Sequence, residues 1–184
     1  MTVVAIGVHH RTAPLELLEQ LTFPAGAVPE VLAELRASEV VTEAVVLSTC
    51  NRIELYVHAE RFHDGFRDVR AVLGRLSGVA PDEFDPYLYV KYQNEAVRHL
   101  FEVTAGLDSV VVGEHEILGQ VGRAWQLAQQ QGASGPLLNL LFQRAIESGK
   151  KVRTDTDIGR STASLGHAAV TLLRQRRADL DGCS

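Results

Sequence analysis

Cys50 is the residue of this 184-residue chain whose neighbours best suit covalent chemistry. It follows Ser48-Thr49 and precedes Asn51-Arg52, where one apolar run ends and the next begins. A lone thiol is commonly a small buried hydrophobe, but these polar neighbours argue against that here. A cation such as Arg52 beside it would favour the thiolate, the nucleophilic form. Seven histidines supply possible bases. His9, His10, His58 and His63 border strand-like segments without the carboxylate or thiol spacing of a metal site. His99 stands apart. Val97, Leu100, Phe101 and Thr104 make one face of a helix, and His99 is expected opposite it, in solvent or facing a cleft. In GLDSVVVGEHEILGQ, the glycines Gly106, Gly113 and Gly119 interrupt helix-forming sequence at up to about 1 kcal/mol each. Such a cost suits backbone that bends or approaches something closely. Glu116, Gln120 and Arg123 share one polar face, opposite Ile117, Val121, Ala124 and Ala128. That face is either solvated or ligand-contacting.

These residues need elements to hold them. Apolar and alternating runs predict strands over 3–8, 43–49 and 52–57, and a short one over 87–92. Helical spacing predicts helices over 15–21, 28–35, 62–76 (closed by Gly78), from Asn94 onward, 114–131, 136–153 and 168–177, with Asn94 as an N-cap and 154–164 as a linker. Cys50-Asn51 then lies at a hairpin tip or on a sharp loop, since Asn tolerates the left-handed conformation of a tight turn. Strands mingle with helices in the first half, and helices dominate the second. The expected class is α+β: a small mixed or antiparallel sheet, ferredoxin-like, with packed helices and a helical extension.

Composition narrows the function classes. A 46% hydrophobic chain is not disordered. No run of 18 apolar residues exists, so no membrane span is expected. Two cysteines make no secreted disulfide framework, and the N-terminus lacks a signal-peptide pattern, so the expected compartment is cytoplasmic. The net charge of −5 hides an asymmetry. Residues 1–143 hold 10 Lys/Arg against 18 Asp/Glu, whereas 144–177 hold 8 against 3. The basic segment is either a solvated face or a contact for a polyanion. Neither GxGxxG nor GxxxxGK[ST] occurs, so no Rossmann-type nicotinamide site is expected in this chain.

Four segments, in order, carry a resemblance: GVHHRTAP at 7–14, LSTCNRIELY at 47–56, AGLDSVVVGEHEILGQ at 105–120 and GKKVRTDTDIG at 149–159. Together they resemble the glutamyl-tRNA reductase family of tetrapyrrole (porphyrin) biosynthesis, over about residues 3–170. The resemblance implies an oxidoreductase whose Cys50 thiolate attacks glutamyl-tRNA(Glu), giving a thioester that NADPH reduces to glutamate-1-semialdehyde in the full-length enzyme. It makes Cys50 and His99 catalytic, with His99 orienting or transferring a proton. It puts Thr49, Asn51, Arg52, Ser109, Glu114, His115, Glu116 and Gln120 at substrate-binding positions, Arg52 holding the substrate carboxylate. It implies a catalytic domain over 1–158, then a linker and helix over 159–184 leading to an NADPH-binding domain absent from this sequence. No cofactor site within this chain and no metal are expected, and the fragment alone is not expected to complete hydride transfer. The implied partners are the charged tRNA, with Arg144, Lys150, Lys151 and Arg153 against its phosphates, and the aminomutase that takes the aldehyde. The full-length family is homodimeric; this fragment is expected as a monomer, with no membrane contact. His9 stands where the family usually has Asn, Leu18 where it often has Arg, and Glu116 where it usually has Gln. An alternative from another class is a stand-alone module that binds glutamyl-tRNA or a partner protein without reductase activity. A third is a thiol hydrolase of small acyl esters.

Overall fold

A computed structural model describes residues 2–159. Four strands form one antiparallel sheet in the order β2-β3-β1-β4: β1 (Thr2–His9), β2 (Val41–Ser48), β3 (Arg52–Ala59) and β4 (Tyr89–Tyr92). Helices α1 (Leu15–Leu21) and α2 (Val28–Arg36) join β1 to β2. Helix α3 (Phe62–Ser77) and the short α4 (Pro81–Phe84) join β3 to β4. This is the β-α-β-β-α-β order of a ferredoxin-like unit. The helical extension follows as α5 (Asn94–Ala105), α6 (Glu116–Gln130) and α7 (Pro136–Asp155). Both the α+β class and the ferredoxin-like sheet agree with the sequence reading. No helix among the described residues is long and apolar enough to cross a membrane.

β3 explains why the chain needs two helical layers. Ile53, Leu55 and Val57 point to one face and are fully buried. Arg52, Glu54 and Tyr56 point to the other, and they are buried too. The first face packs with α1 and α3. The second is covered by the extension: Tyr56 meets Phe142 of α7 edge-on at 5.3 Å, and Glu54 meets His99 of α5. The alternation along β3 therefore separates an apolar core from a buried polar one, not core from solvent.

The extension is fastened to the edge of the sheet. Ala44 N–H of β2 donates to Ala133 O in the turn between α6 and α7, at 2.8 Å. The Glu43 carboxylate accepts the N–H groups of Gly135, Leu137 and Leu138 at 2.6–3.2 Å, satisfying the donors that open α7. A Cβ on Gly135 would meet the Glu43 carboxylate at 2.7 Å, so only glycine allows the approach.

Several expectations need correcting. Asn94 is the first helical residue, not the cap. Gln93 holds the cap position with φ 50° and gives no side-chain cap, while its N–H donates to Val3 O of β1. Helix α6 starts two residues late, at Glu116, because Gly113 turns through φ 84°. The expected linker is partly helix: α7 runs to Asp155, and a 3-10 turn covers Asp157–Gly159. The expected helix at 168–177 lies outside the described residues. Arg153, read as a phosphate contact, is spent on the fold. Its guanidinium donates to the carbonyls of Thr104, Gly149 and Glu114, and so pins both ends of the loop between α5 and α6. That loop closes on itself through Gly113 N–H to Gly106 O at 2.8 Å, with both glycines in the left-handed region.

Candidate active site

Cys50 is exposed at the tip of the β2–β3 hairpin, as its sequence setting suggests. Thr49, not Asn51, makes the turn. The Thr49 hydroxyl accepts the N–H groups of Asn51 and Arg52, and Thr49 N–H donates to Arg52 O. Asn51 has no positive φ. Its carbonyl accepts His10 N–H at 3.0 Å, tying the tip to the end of β1. The thiol is thus carried on a short, braced turn.

The turn forms one wall of a cleft of about 440 Å³. Thr49, Cys50, Asn51 and Arg52 face Ser109 and Val110 of the glycine-bounded loop, and Glu114, His115, Glu116, Ile117 and Gln120 around the start of α6. Two stretches far apart in sequence, 49–52 and 109–120, therefore meet at the thiol, and nine of the ten site residues read from the sequence line one cleft. Ser109 is only 3% exposed, and its Oγ has no hydrogen-bond partner among the described residues. A buried hydroxyl without a partner is costly unless a ligand or water completes it.

His99 is the residue outside. It is buried, not opposite the core face: Ala96, His99, Leu100 and Val103 form the face of α5 that packs, while Val97 and Phe101 are only half-buried. Its Nε2 lies 3.0 Å from Glu54 Oε1. The same carboxylate accepts Arg52 Nη1 at 2.8 Å, Tyr56 OH at 2.6 Å and Tyr89 OH. Burial alone would raise the Glu54 carboxyl, but the His99 hydrogen bond and the Arg52 charge outweigh it and hold the group down at about 2. Burial beside Glu54 also pushes the Tyr56 and Tyr89 phenols well above their ordinary range, so both stay hydrogen-bond donors.

Arg52 links this network to the cleft. Its guanidinium, 2% exposed, donates to Glu54 and to both Oδ2 and the backbone carbonyl of Asp108. Burial opposes the charge, yet the Glu54 and Asp108 carboxylates hold its pKa above the ordinary value. Asp108 also accepts Arg11 at 2.9 Å. Glu54 and Asp108 thus already balance the Arg52 charge, which is not left over for the thiol. His9 lies against Tyr89 in a tilted arrangement at 5.0 Å, and burial lowers the pKa of both His9 and His10. His58 bonds Thr42 on the sheet, and His63 is exposed beside Phe62.

Sequence reasoning missed Glu54, Tyr56, Tyr89 and Asp108. A signal existed for the first two: charged and aromatic residues alternating on a strand whose second face must be covered by the helices that dominate the later sequence. Nothing local marked Asp108 or Tyr89.

No group of three or more His, Cys, Asp or Glu among the described residues is placed to hold a metal ion. A dinucleotide does not fit them either. All strand pairings are antiparallel, and no glycine-rich strand-to-helix turn offers N–H groups to a pyrophosphate.

Comparison with known proteins gives a consistent picture. The family described as "Glutamyl-tRNAGlu reductase, N-terminal domain" matches residues 6–156. The chain is 47% identical over 165 residues to a glutamyl-tRNA reductase of Streptomyces avermitilis, covering 90% of this chain and 29% of that protein. It is 43% identical over 184 residues to one of Pelotomaculum thermopropionicum, covering 100% and 41%. Among solved structures it is similar to glutamyl-tRNA reductase from Methanopyrus kandleri, with TM-score 0.71 and 36% identity over 94% of this chain and 39% of that one. The chain therefore spans well under half the length of these relatives.

Proposed function

The chain belongs to the glutamyl-tRNA reductase N-terminal domain family, and on that premise we propose that it transfers glutamate from glutamyl-tRNA to Cys50. The Sγ thiolate attacks the ester carbonyl. A C–S bond forms and the ester C–O bond breaks. The terminal ribose leaves as its hydroxyl, taking a proton, and a glutamyl thioester remains. The observation that carries this reading is an exposed thiol on a braced turn, facing a cleft lined by both charged and neutral polar groups. In this reading Arg52, which lines the cleft, meets the γ-carboxylate with the guanidinium N–H groups that Glu54 and Asp108 do not take, while those two partners fix its fork in one orientation. The unpartnered Ser109 hydroxyl completes its hydrogen bonds with substrate. Glu114 and Glu116 favour the α-ammonium group, and Gln120 and Asn51 offer amides. His99 acts as a positioning residue, through Glu54 on Arg52.

Residues 1–158 are proposed as the catalytic domain and 159–184 as the connection toward the further part that the relatives possess. The reduction that completes the family's reaction draws hydride from NADPH. The described residues do not fit that cofactor, so the step assigned to this chain ends at the thioester. The substrate is the charged tRNA of glutamate, and the aldehyde made by a complete enzyme passes to an aminomutase.

The test uses the whole chain with tRNA charged with labelled glutamate, quenched in acid and digested. The expected result is label on the Cys50 peptide, absent from Cys50→Ser. Equal labelling of Cys50→Ser would sink the proposal.

A further inference from the structure

The end of the sheet away from Cys50 holds a separate cavity of about 520 Å³, lined by Thr2, Glu60, Phe62, His63, Tyr92 and Gln93. β1 pairs with β3 from Thr2–Ala59 at this end to His9–Arg52 at the thiol end, a separation of about 23 Å. The walls are aromatic. Around Phe62, His63 lies edge-on at 5.1 Å, Tyr92 tilted at 5.8 Å and Phe66 stacked at 6.5 Å. Tyr92 is 51% exposed, so its ring is open to a ligand. The polar groups are unspent. Thr2 Oγ1 is buried and has no hydrogen-bond partner among the described residues. The Glu60 carboxylate and the Gln93 side-chain amide are exposed and make no ion pair or hydrogen bond to other described residues. Gln93 is also the one non-glycine residue with positive φ among the described residues, at 50°. Such backbone is costly for a residue with a Cβ, and it collects at binding sites.

We propose that this cavity binds a guanidinium group, carried by free arginine or by an arginine side chain of a partner protein. The charge has the right sign: no Lys or Arg lines the cavity, Glu60 does, and the neighbouring Arg61 is paired with Asp64. Residues 1–143, with 18 Asp/Glu against 10 Lys/Arg, set an acidic field that draws cations. The shape is equally selective. A guanidinium is flat, weakly hydrated and stacks on aromatic faces, while its five N–H groups fan out in one plane. Phe62 and Tyr92 offer the faces. The Glu60 carboxylate, the Gln93 carbonyl and the Thr2 hydroxyl offer acceptors around them. A compact, strongly hydrated ammonium would use the carboxylate and waste the rings. The site is independent of the acyl transfer at Cys50 and stands or falls without it.

The experiment titrates the whole 15N-labelled chain with N-acetyl-arginine amide and follows its backbone amides by NMR. Shifts are expected to concentrate at Thr2, Phe62, Tyr92 and Gln93, with a dissociation constant of about 1 mM, as suits a ligand this small. N-acetyl-citrulline amide, nearly the same shape without the charge, is expected to bind at least about fivefold more weakly. Tyr92→Ala and Glu60→Gln should each weaken the arginine compound about twofold to fivefold, the fold-change of one exposed cation–π contact or ion pair. Cys50 labelling by glutamyl-tRNA should be unchanged in both variants. Free L-arginine separates the sources: tighter binding than the capped form points to the free amino acid, weaker binding to a protein side chain. Equal binding of the citrulline compound, shifts that avoid the cavity, or affinities that survive both substitutions would overturn the proposal and leave Cys50 chemistry untouched.

Discussion

The two walls of the Cys50 cleft are built on opposite plans. On the sheet side, Arg52 lines the cleft and is held from behind it by a network of Glu54, Tyr56, His99 and Asp108. On the α6 side, Glu116 is exposed and Gln120 half-exposed, and their side chains make no hydrogen bonds to other described residues. The first wall is preorganised by the fold, and changes there act on stability as well as chemistry. The second is held by its helix alone and is open to ligand. A substitution should therefore report its wall through the balance between melting temperature and acylation rate.

The largest expected effect comes from breaking the buried wall at its centre. Glu54→Gln takes the buried carboxylate away from Arg52 and leaves it only Asp108, which it shares with Arg11, at a cost of about 3–5 kcal/mol. At about 2–4 °C per kcal/mol for a domain of this size, calorimetry should show Tm falling by about 6–20 °C. A fall of only a degree or two would mean that the network is not what holds this wall.

Acid sharpens the same point. The folded Glu54 carboxyl lies at about 2, against 4.5 for the free group. Its contribution, about 3 kcal/mol, is complete above 4.5 and is lost as pH falls from there through about 2. Wild type should lose stability steeply across that window in denaturant melts, and Glu54→Gln much less.

A smaller effect is expected where the extension is fastened. Glu43→Ala removes three hydrogen bonds from the opening turn of α7 and should cost about 1–3 kcal/mol. Hydrogen exchange at Gly135, Leu137 and Leu138 should accelerate with it. The smallest change in stability belongs to the open wall. Glu116→Gln should move Tm by less than about 0.5 kcal/mol equivalent while lowering acylation by glutamyl-tRNA. If Tm fell as with Glu54→Gln, the contrast between the walls would collapse.

The sheet and the hairpin carrying Cys50 were legible because alternation flanks a short polar turn, a local signal. The lining of the cleft was legible mainly through its resemblance, since Ser109 and Glu114 meet Cys50 only after the chain folds back across some sixty positions. His99 was misplaced for a physical reason. Val97 and Phe101 are apolar but line a half-open groove between α5 and α7, which shifted the apparent core face of the helix. Arg153 sits in a basic run and looks like its neighbours. Only the carbonyls of Thr104 and Glu114, supplied by two other segments, distinguish it. Glu54 was hidden because a strand's second face is solvent or core depending on what covers it.

β2 ends one side of the sheet, and the Ala44–Ala133 hydrogen bond engages its outer edge. An uncovered strand edge invites pairing with another chain. The residues near that edge are Val45, Val46 and Leu47, an apolar run of the kind that self-associates readily. The α6–α7 turn therefore serves as a guard against intermolecular pairing, and a version cut back to the sheet and its first three helices would expose a template for aggregation beside its own nucleophile.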